Sequence, residues 1–215
     1  MGSLNQVRPS VFVIAAQIAS HLNLATKTAQ QLSLTAKNAR AITTRAGQQA
    51  LGFNAIATFI QELASETIRL AQEINRKALQ ISMQATELER VQQARFKLNK
   101  VILLAEQARY VDSVSGFSKR NARQLKVLNQ EFYTLQMELT GLIEQIEKQV
   151  RSATVIASMS KIEASKSGSF QQQLEVIGGN IHASADAIKN QLLHSKRLLN
   201  QMRGIDENDS HCSVK

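Results

Sequence analysis

Residues 53–105 read FNAIATFIQELASETIRLAQEINRKALQISMQATELERVQQARFKLNKVILLA. Stepping alternately by three and four residues picks out Phe53, Ile56, Ile60, Leu63, Thr67, Leu70, Ile74, Lys77, Ile81, Gln84, Leu88, Val91, Arg95, Leu98, Ile102 and Ala105. Twelve of these sixteen positions are apolar, over seven heptads without a proline or glycine. That is the seam of a coiled coil, not the alternation of a strand. A helix over residues 50–109 is about 90 Å long at 1.5 Å per residue. Its apolar stripe must be covered along the whole length by other helices.

The third quarter supplies such a stripe: Leu125, Leu128, Phe132, Leu135, Leu139, Leu142, Ile146, Gln149, Ala153 and Ile156. The outer quarters carry shorter ones, Ile14, Ile18, Ala25, Leu32, Ala39 and Ile42 at the start, and Leu174, Ile177, Ile181, Ala185, Ile188, Leu192, Leu199 and Met202 at the end. Helix breaks are expected at Gly47, at VDSVSGFS (residues 111–118) and at Gly168, where glycine and serine suit caps and turns. The order short, long, long, short, folded at three breaks, predicts an all-α fold: an elongated antiparallel four-helix bundle made of two long helical hairpins. Hairpin one spans about 11–109, the connecting loop 110–118 and hairpin two about 119–203. Residues 1–10 form an N-terminal segment and 204–215 a disordered tail. Two matched hairpins permit either a closed monomer or a swapped dimer.

Composition agrees. The 215 residues hold one Pro, no Trp and only 4% aromatics, while the abundant Ala, Gln, Leu, Lys and Arg all favour helix. A sandwich, a barrel and an α/β enzyme are excluded on these grounds. The formal net charge is +9, and no acidic residue precedes Glu62. An excess of this kind attracts anionic partners without specifying them. The single cysteine, Cys212, excludes an intrachain disulfide and suits a reducing compartment. The run VFVIAA (residues 11–16) is interrupted by Gln17 and Ser20, so a cleaved signal is not expected. No stretch approaches the ~20 apolar residues of a membrane span. A cytoplasmic protein is the expectation.

The first break lies in NARAITTRAGQQALGFNAIATFIQELA, Asn38 to Ala64. Arg45, Ala46 and Gly47, followed at fixed distance by Gly52 and Phe53, fall in register with the cytoplasmic signalling hairpin of methyl-accepting chemotaxis receptors, as do Asn38, Ala39, Ile56, Ala57, Ile60, Leu63 and Ala64. The segment resembles that family's tip. The second break, KIEASKSGSFQQQLEVIGGNIHASA (residues 161–185), is a fainter copy. There Gly168 matches Gly47, Leu174 matches Phe53, and Ile162-Glu163-Ala164 precede the glycine. The family's hairpin dimerises into a four-helix bundle; this chain is similar to two hairpins joined in one polypeptide. Glutamates of the family's tip are replaced here by Ile42 and Gln48, and its later glutamate–arginine positions by Phe59 and Gln61. In the family, charged tip residues support contacts with other receptor hairpins, the coupling adaptor and the histidine kinase, so ordinary kinase coupling is in doubt. Gln30-Gln31 and Gln171-Gln172 match the family's methylation pattern only in part.

The resemblance implies a non-catalytic signalling scaffold whose partners are chemoreceptor-type hairpins, a coupling adaptor or a histidine kinase. The expected contact residues are Arg45, Gly47, Gly52, Phe53, Glu163 and Gly168. Phe53 has two readings, packed inside the hairpin or presenting an edge to a partner. Arg45 is expected to pair with Glu163 if the tips lie side by side.

Chemistry of other kinds is not indicated. No nucleophile has its own base, no P-loop or G-x-G-x-x-G occurs, and no cofactor or metal is expected. A di-iron bundle needs Glu-x-x-His, and none of His21, His182, His194 or His211 has an acid three residues earlier. His21 falls near the first seam and reads as a satisfied core histidine, and His211 beside Cys212 is too few ligands for zinc. Gly178-Gly179, inside a helix, reads as a close helix approach. Opposite the tips, residues 90–126 carry Arg90, Arg95, Lys97, Lys100, Arg109, Lys119, Arg120, Arg123 and Lys126, against Glu106 and Asp112, leaving +7. This end is a solvated face or an anionic contact, to membrane headgroups or nucleic acid. A structural coiled coil acting through it is the rival to the scaffold reading.

Overall fold

The computed structural model describes residues 11–104 and 111–212, with the side chains of 111–113 and 203–212 left out of the description. Four helices carry the fold: α1 (Val11–Ala46), α2 (Leu51–Leu104), α3 (Val111–Ser165) and α4 (Gln171–Cys212). Short 3-10 turns, Gly47–Ala50 and Gly168–Phe170, join α1 to α2 and α3 to α4. No strand occurs among the described residues.

Each helix packs on its chain neighbours, and α4 closes on α1 within the one chain. The α2–α3 register follows from cross-helix pairs: Gln84 reaches Glu131, and Lys77 meets Glu138 at 2.6 Å. One number rises as the other falls, so the helices are antiparallel. The core is the heptad seam. Ile60, Leu70, Ile74 and Ile81 of α2, with Leu139, Ile143 and Ile146 of α3, are among its largest fully buried side chains. On α1, Ala25, Ala29, Ala36 and Ala39 are fully buried beside Ile14, Ile18, Leu22 and Leu32, and such small side chains bring its backbone close to both neighbours. The seam's polar members Lys77, Gln84 and Arg95 are only half-buried, because long polar side chains lay their stems on the seam and keep their heads in water.

Unequal helix lengths divide the rod. The contact of Ser33 with Gln61 fixes α1 on α2, and continuing that register places Val11 opposite Met83. Beyond that level α2 and α3 run on as a two-helix arm with its own small core of Leu88, Val91, Leu125 and Leu128. Asn121 is buried in this arm and donates its amide to the Val91 carbonyl at 3.4 Å, while its Oδ1 has no partner.

Two boundaries differ from the sequence reading. The expected connecting loop 110–118 is displaced: residues 111–118 are the opening turns of α3, and 105–110 lie outside the described residues. Gly116 is tolerated there because a glycine inside a helix costs only about 1 kcal/mol. The expected disordered tail is also helical as far as Cys212, continuing α4.

Candidate functional site

Both glycine turns sit at the same end of the rod. Gly47 has φ +56° and Gly168 φ +54°, the only positive φ angles among the described residues. This left-handed conformation lets a helix end and reverse within a few residues, and only glycine adopts it without steric cost. In the second turn the Ser167 amide donates to the Ala164 carbonyl at 3.0 Å, and the Ser167 hydroxyl to the Glu163 carbonyl at 2.9 Å. The last carbonyls of α3 are satisfied in this way.

The two turns also touch. A Cβ on Gly168 would lie 3.1 Å from the Gln49 side-chain oxygen. The Glu163 carboxylate lies across Gly52, occupying the space a Cβ would fill there. Gly52 therefore has a physical function in this fold: it leaves room for an acid from the other hairpin. Glu163 in turn pairs with Lys166 at 2.9 Å.

Of the six residues expected at the tip, Gly47, Gly168, Gly52 and Glu163 are brought together. Of the other two, Arg45 departs from expectation and Phe53 takes the first of its two readings, packed inside the hairpin. Arg45 makes no ion pair among the described residues and does not meet Glu163. Arg45 lies in the last turn of α1, whose neighbours are α2 and α4, whereas Glu163 belongs to α3 across the diagonal of the bundle. Phe53 is 0% exposed and belongs to the core, so it offers no edge to a partner.

Large apolar side chains absent from the expected set do face outward here. Near the tip α3 buries small residues, Ala153, Ala157, Ser160 and Ala164, and exposes Val155, Met159 and Ile162. Spacings of four and three put these last three on one outer face, with Ile162 59% exposed. Leu51 (on α2) and Val176 (on α4) are exposed at the same end. Their signal in the sequence was a second apolar stripe out of phase with the heptad 146, 149, 153, 156.

At the opposite end, Arg90, Lys97, Lys100, Lys119, Arg120, Arg123 and Lys126 are exposed on the two-helix arm and Arg95 is half-buried; Arg109 lies outside the described residues. Arg90 pairs with Glu87 at 2.8 Å, which raises its pKa above the ordinary arginine value through the hydrogen bond and the charge. Arg120 lies over the Phe117 ring, 5.2 Å from its centroid.

The histidines are elsewhere. His21 of α1 donates from Nδ1 to Gln191 Oε1 at 2.7 Å and stacks on His194 of α4 at 5.2 Å, joining the two outer helices. No group of three or more metal-ligating side chains occurs among the described residues, and none of their helices is long and apolar enough to cross a membrane. Gly178 is a close approach as expected, with Ser160 of α3 against it, whereas Gly179 faces open space.

Fold and tip together define an all-α, single-chain bundle of two antiparallel hairpins with paired glycine turns at one end. Comparison with protein-family models, with curated proteins and with solved structures finds no match.

Proposed function

We propose that this chain is a non-catalytic, cytoplasmic signalling scaffold that works by protein–protein contact through its double-glycine tip, in the manner of the chemoreceptor signalling hairpin it resembles. The observation that carries the reading is the joined tip itself. Two positive-φ glycines lie at one end, Glu163 of one hairpin lies over Gly52 of the other, and the outward stripe Val155, Met159 and Ile162 stands beside them. A single chain thus presents a surface that the receptor family builds from two. The surface is apolar at its centre and rimmed by Lys161 and Lys166, which suits docking against another helical hairpin. With Ile42, Gln48, Phe59 and Gln61 in place of charged family positions, the expected role is to modulate a receptor–adaptor–kinase assembly, not to activate a kinase.

The test is to titrate the chain into assembled receptor signalling fragments, adaptor and kinase, following co-sedimentation and kinase autophosphorylation. Co-sedimentation that changes little with salt, and that drops about tenfold in affinity or more for Met159→Asp with Ile162→Asp, is the expected result. Absence of binding to any of the three components, or binding unchanged in the double variant, would overturn the reading.

A further inference from the structure

The two-helix arm carries a second surface, independent of the tip. Residues 90–104 and 114–130 hold eight basic side chains and no acidic one. Among those cations stand apolar side chains that the core does not take: Phe96 is 73% exposed, Leu103 71% and Leu104 80%. On α2 the positions 96, 100, 103 and 104 follow helical spacing, so Phe96, Leu103 and Leu104 share one outward face with Lys100. On α3, Phe117 is exposed beneath Arg120. A shallow open groove on this arm is lined by Arg95 of α2 and by Leu125, Lys126, Asn129, Gln130 and Tyr133 of α3, a mixed polar and apolar surface with two cations.

We infer that this arm is a docking surface for an anionic lipid bilayer, cations to the headgroups and Phe96, Leu103 and Leu104 into the acyl boundary. Three occupants compete for such a face, and the side chains separate them. A second copy of the chain would bring two clusters of eight cations together, which like-charge repulsion opposes. A single-stranded nucleic acid needs open aromatic faces on which bases stack; Phe96 offers one, but one face of Phe117 is covered by the Arg120 guanidinium, and Leu103 and Leu104 would be left in water. A bilayer satisfies both kinds of group: phosphates and serine carboxylates meet the ammonium and guanidinium heads, and long basic stems lie along the apolar side chains between them. The density of charge beside exposed apolar side chains matters most. The arm gathers eight cations around Phe96, Leu103 and Leu104, whereas α1, which also lacks acidic residues, carries only Lys27, Lys37, Arg40 and Arg45 along its length.

The experiment is flotation of the full chain with large unilamellar vesicles of phosphatidylcholine alone or with about one third phosphatidylserine, at low and at high salt. Binding to the serine-containing vesicles only, and its loss in high salt, is expected. Each basic side chain at an anionic surface contributes roughly fivefold, so Lys97→Glu with Lys100→Glu lowers the partition coefficient about 25-fold or more. Phe96→Ser with Leu104→Ser, which leaves charge untouched, lowers it about tenfold. Lys27→Glu with Lys37→Glu, on α1 outside the arm, has a much smaller effect. Circular dichroism verifies that each variant keeps its helix content. Three results each refute the inference: no binding to anionic vesicles at low salt, equal losses from the α1 and arm charge reversals, or wild-type binding by the Phe96/Leu104 variant, which would mean unspecific attraction alone. Tighter binding to a single-stranded oligonucleotide that also displaces the vesicles would assign the arm to nucleic acid instead.

Discussion

Replacing Phe53 with alanine separates a core role from a contact role. Its ring is fully buried just after the first turn, at the start of α2. Truncating a buried phenylalanine to alanine costs about 3–5 kcal/mol, the transfer of the ring plus the cavity left behind. The lower half of that range is expected here, because the site lies in the first turns of α2, where neighbouring chain can relax into the void. In urea unfolding followed by helical circular dichroism, a loss of about 3 kcal/mol moves the midpoint down by about 1–2 M, given a slope of ~2–3 kcal/mol/M for a chain of this size. The paired perturbation is Met159→Asp, at a side chain 50% exposed on α3, where stability should change by no more than ~0.5 kcal/mol. The two substitutions should therefore dissociate: Phe53→Ala weakens the fold, and Met159→Asp weakens only partner binding. An unchanged midpoint for Phe53→Ala refutes the packing account of the tip. A destabilised Met159→Asp refutes the claim that the Val155–Met159–Ile162 face is free.

Asn121→Leu is expected to raise stability by about 1–2 kcal/mol, measured by thermal unfolding, because it removes a buried amide oxygen without a partner. It should also loosen the register of the arm, since a lone buried Asn in a coiled-coil seam specifies alignment at a cost in stability. Glu66→Gln removes the hydrogen bond and charge from Arg69 that hold the Glu66 carboxyl below the usual carboxylate range. A depressed folded-state pKa contributes stability above the ordinary pKa near 4.5 and loses it as pH falls through the depressed value. On this exposed pair solvent screening keeps the effect small, so wild type and variant should differ slightly at pH 7 and converge in acid.

How legible the molecule was depended on whether a feature is one-dimensional. The seam from Phe53 to Val91 was readable because burial along a coiled coil repeats every 3.5 residues, whatever the partner. Gly47 and Gly168 were readable because a sharp helix reversal demands positive φ. The turn assigned to 111–118 was not, since Gly116 and its serines satisfy a turn and a solvent-exposed helix alike, and only the continued packing of α3 on α2 chooses between them. The Arg45–Glu163 pair failed for a different reason. Which helices are neighbours and which are diagonal is a property of the closed bundle, and no heptad records it. The outward stripe Val155, Met159 and Ile162 was present in the sequence but hidden, since Ala153 and Ile156 continued the expected seam beside it.

The close approach of α4 to α3 at Gly178 allows the tip geometry to be tested without touching its surface. A Cβ on Gly178 would lie 2.5 Å from Ser160 Oγ and 3.4 Å from Ser160 Cβ. Ser160 is fully buried, and its hydroxyl donates to the Ala157 carbonyl at 2.7 Å, so the oxygen cannot swing aside without giving up that bond. Gly178→Ala gains about 1 kcal/mol of helix propensity but incurs ~1–3 kcal/mol of overpacking, so the single variant should be neutral to ~2 kcal/mol less stable. Ser160→Ala removes the obstructing oxygen, and the carbonyl it bonded is already inside a helix, so that change alone should stay within ~1 kcal/mol of wild type. With both changes the two methyl groups meet at ordinary contact distance while the propensity gain remains. The double variant should therefore exceed Gly178→Ala by about 1–2 kcal/mol, a coupling well beyond the ~0.3–0.5 kcal/mol of independent sites. Met159 adjoins Ser160 on α3, so the single Gly178→Ala variant should also shift the outward stripe and weaken partner binding, and Ser160→Ala should restore it. Additive stabilities would mean that the helices yield at this level, and that glycine does not set their separation.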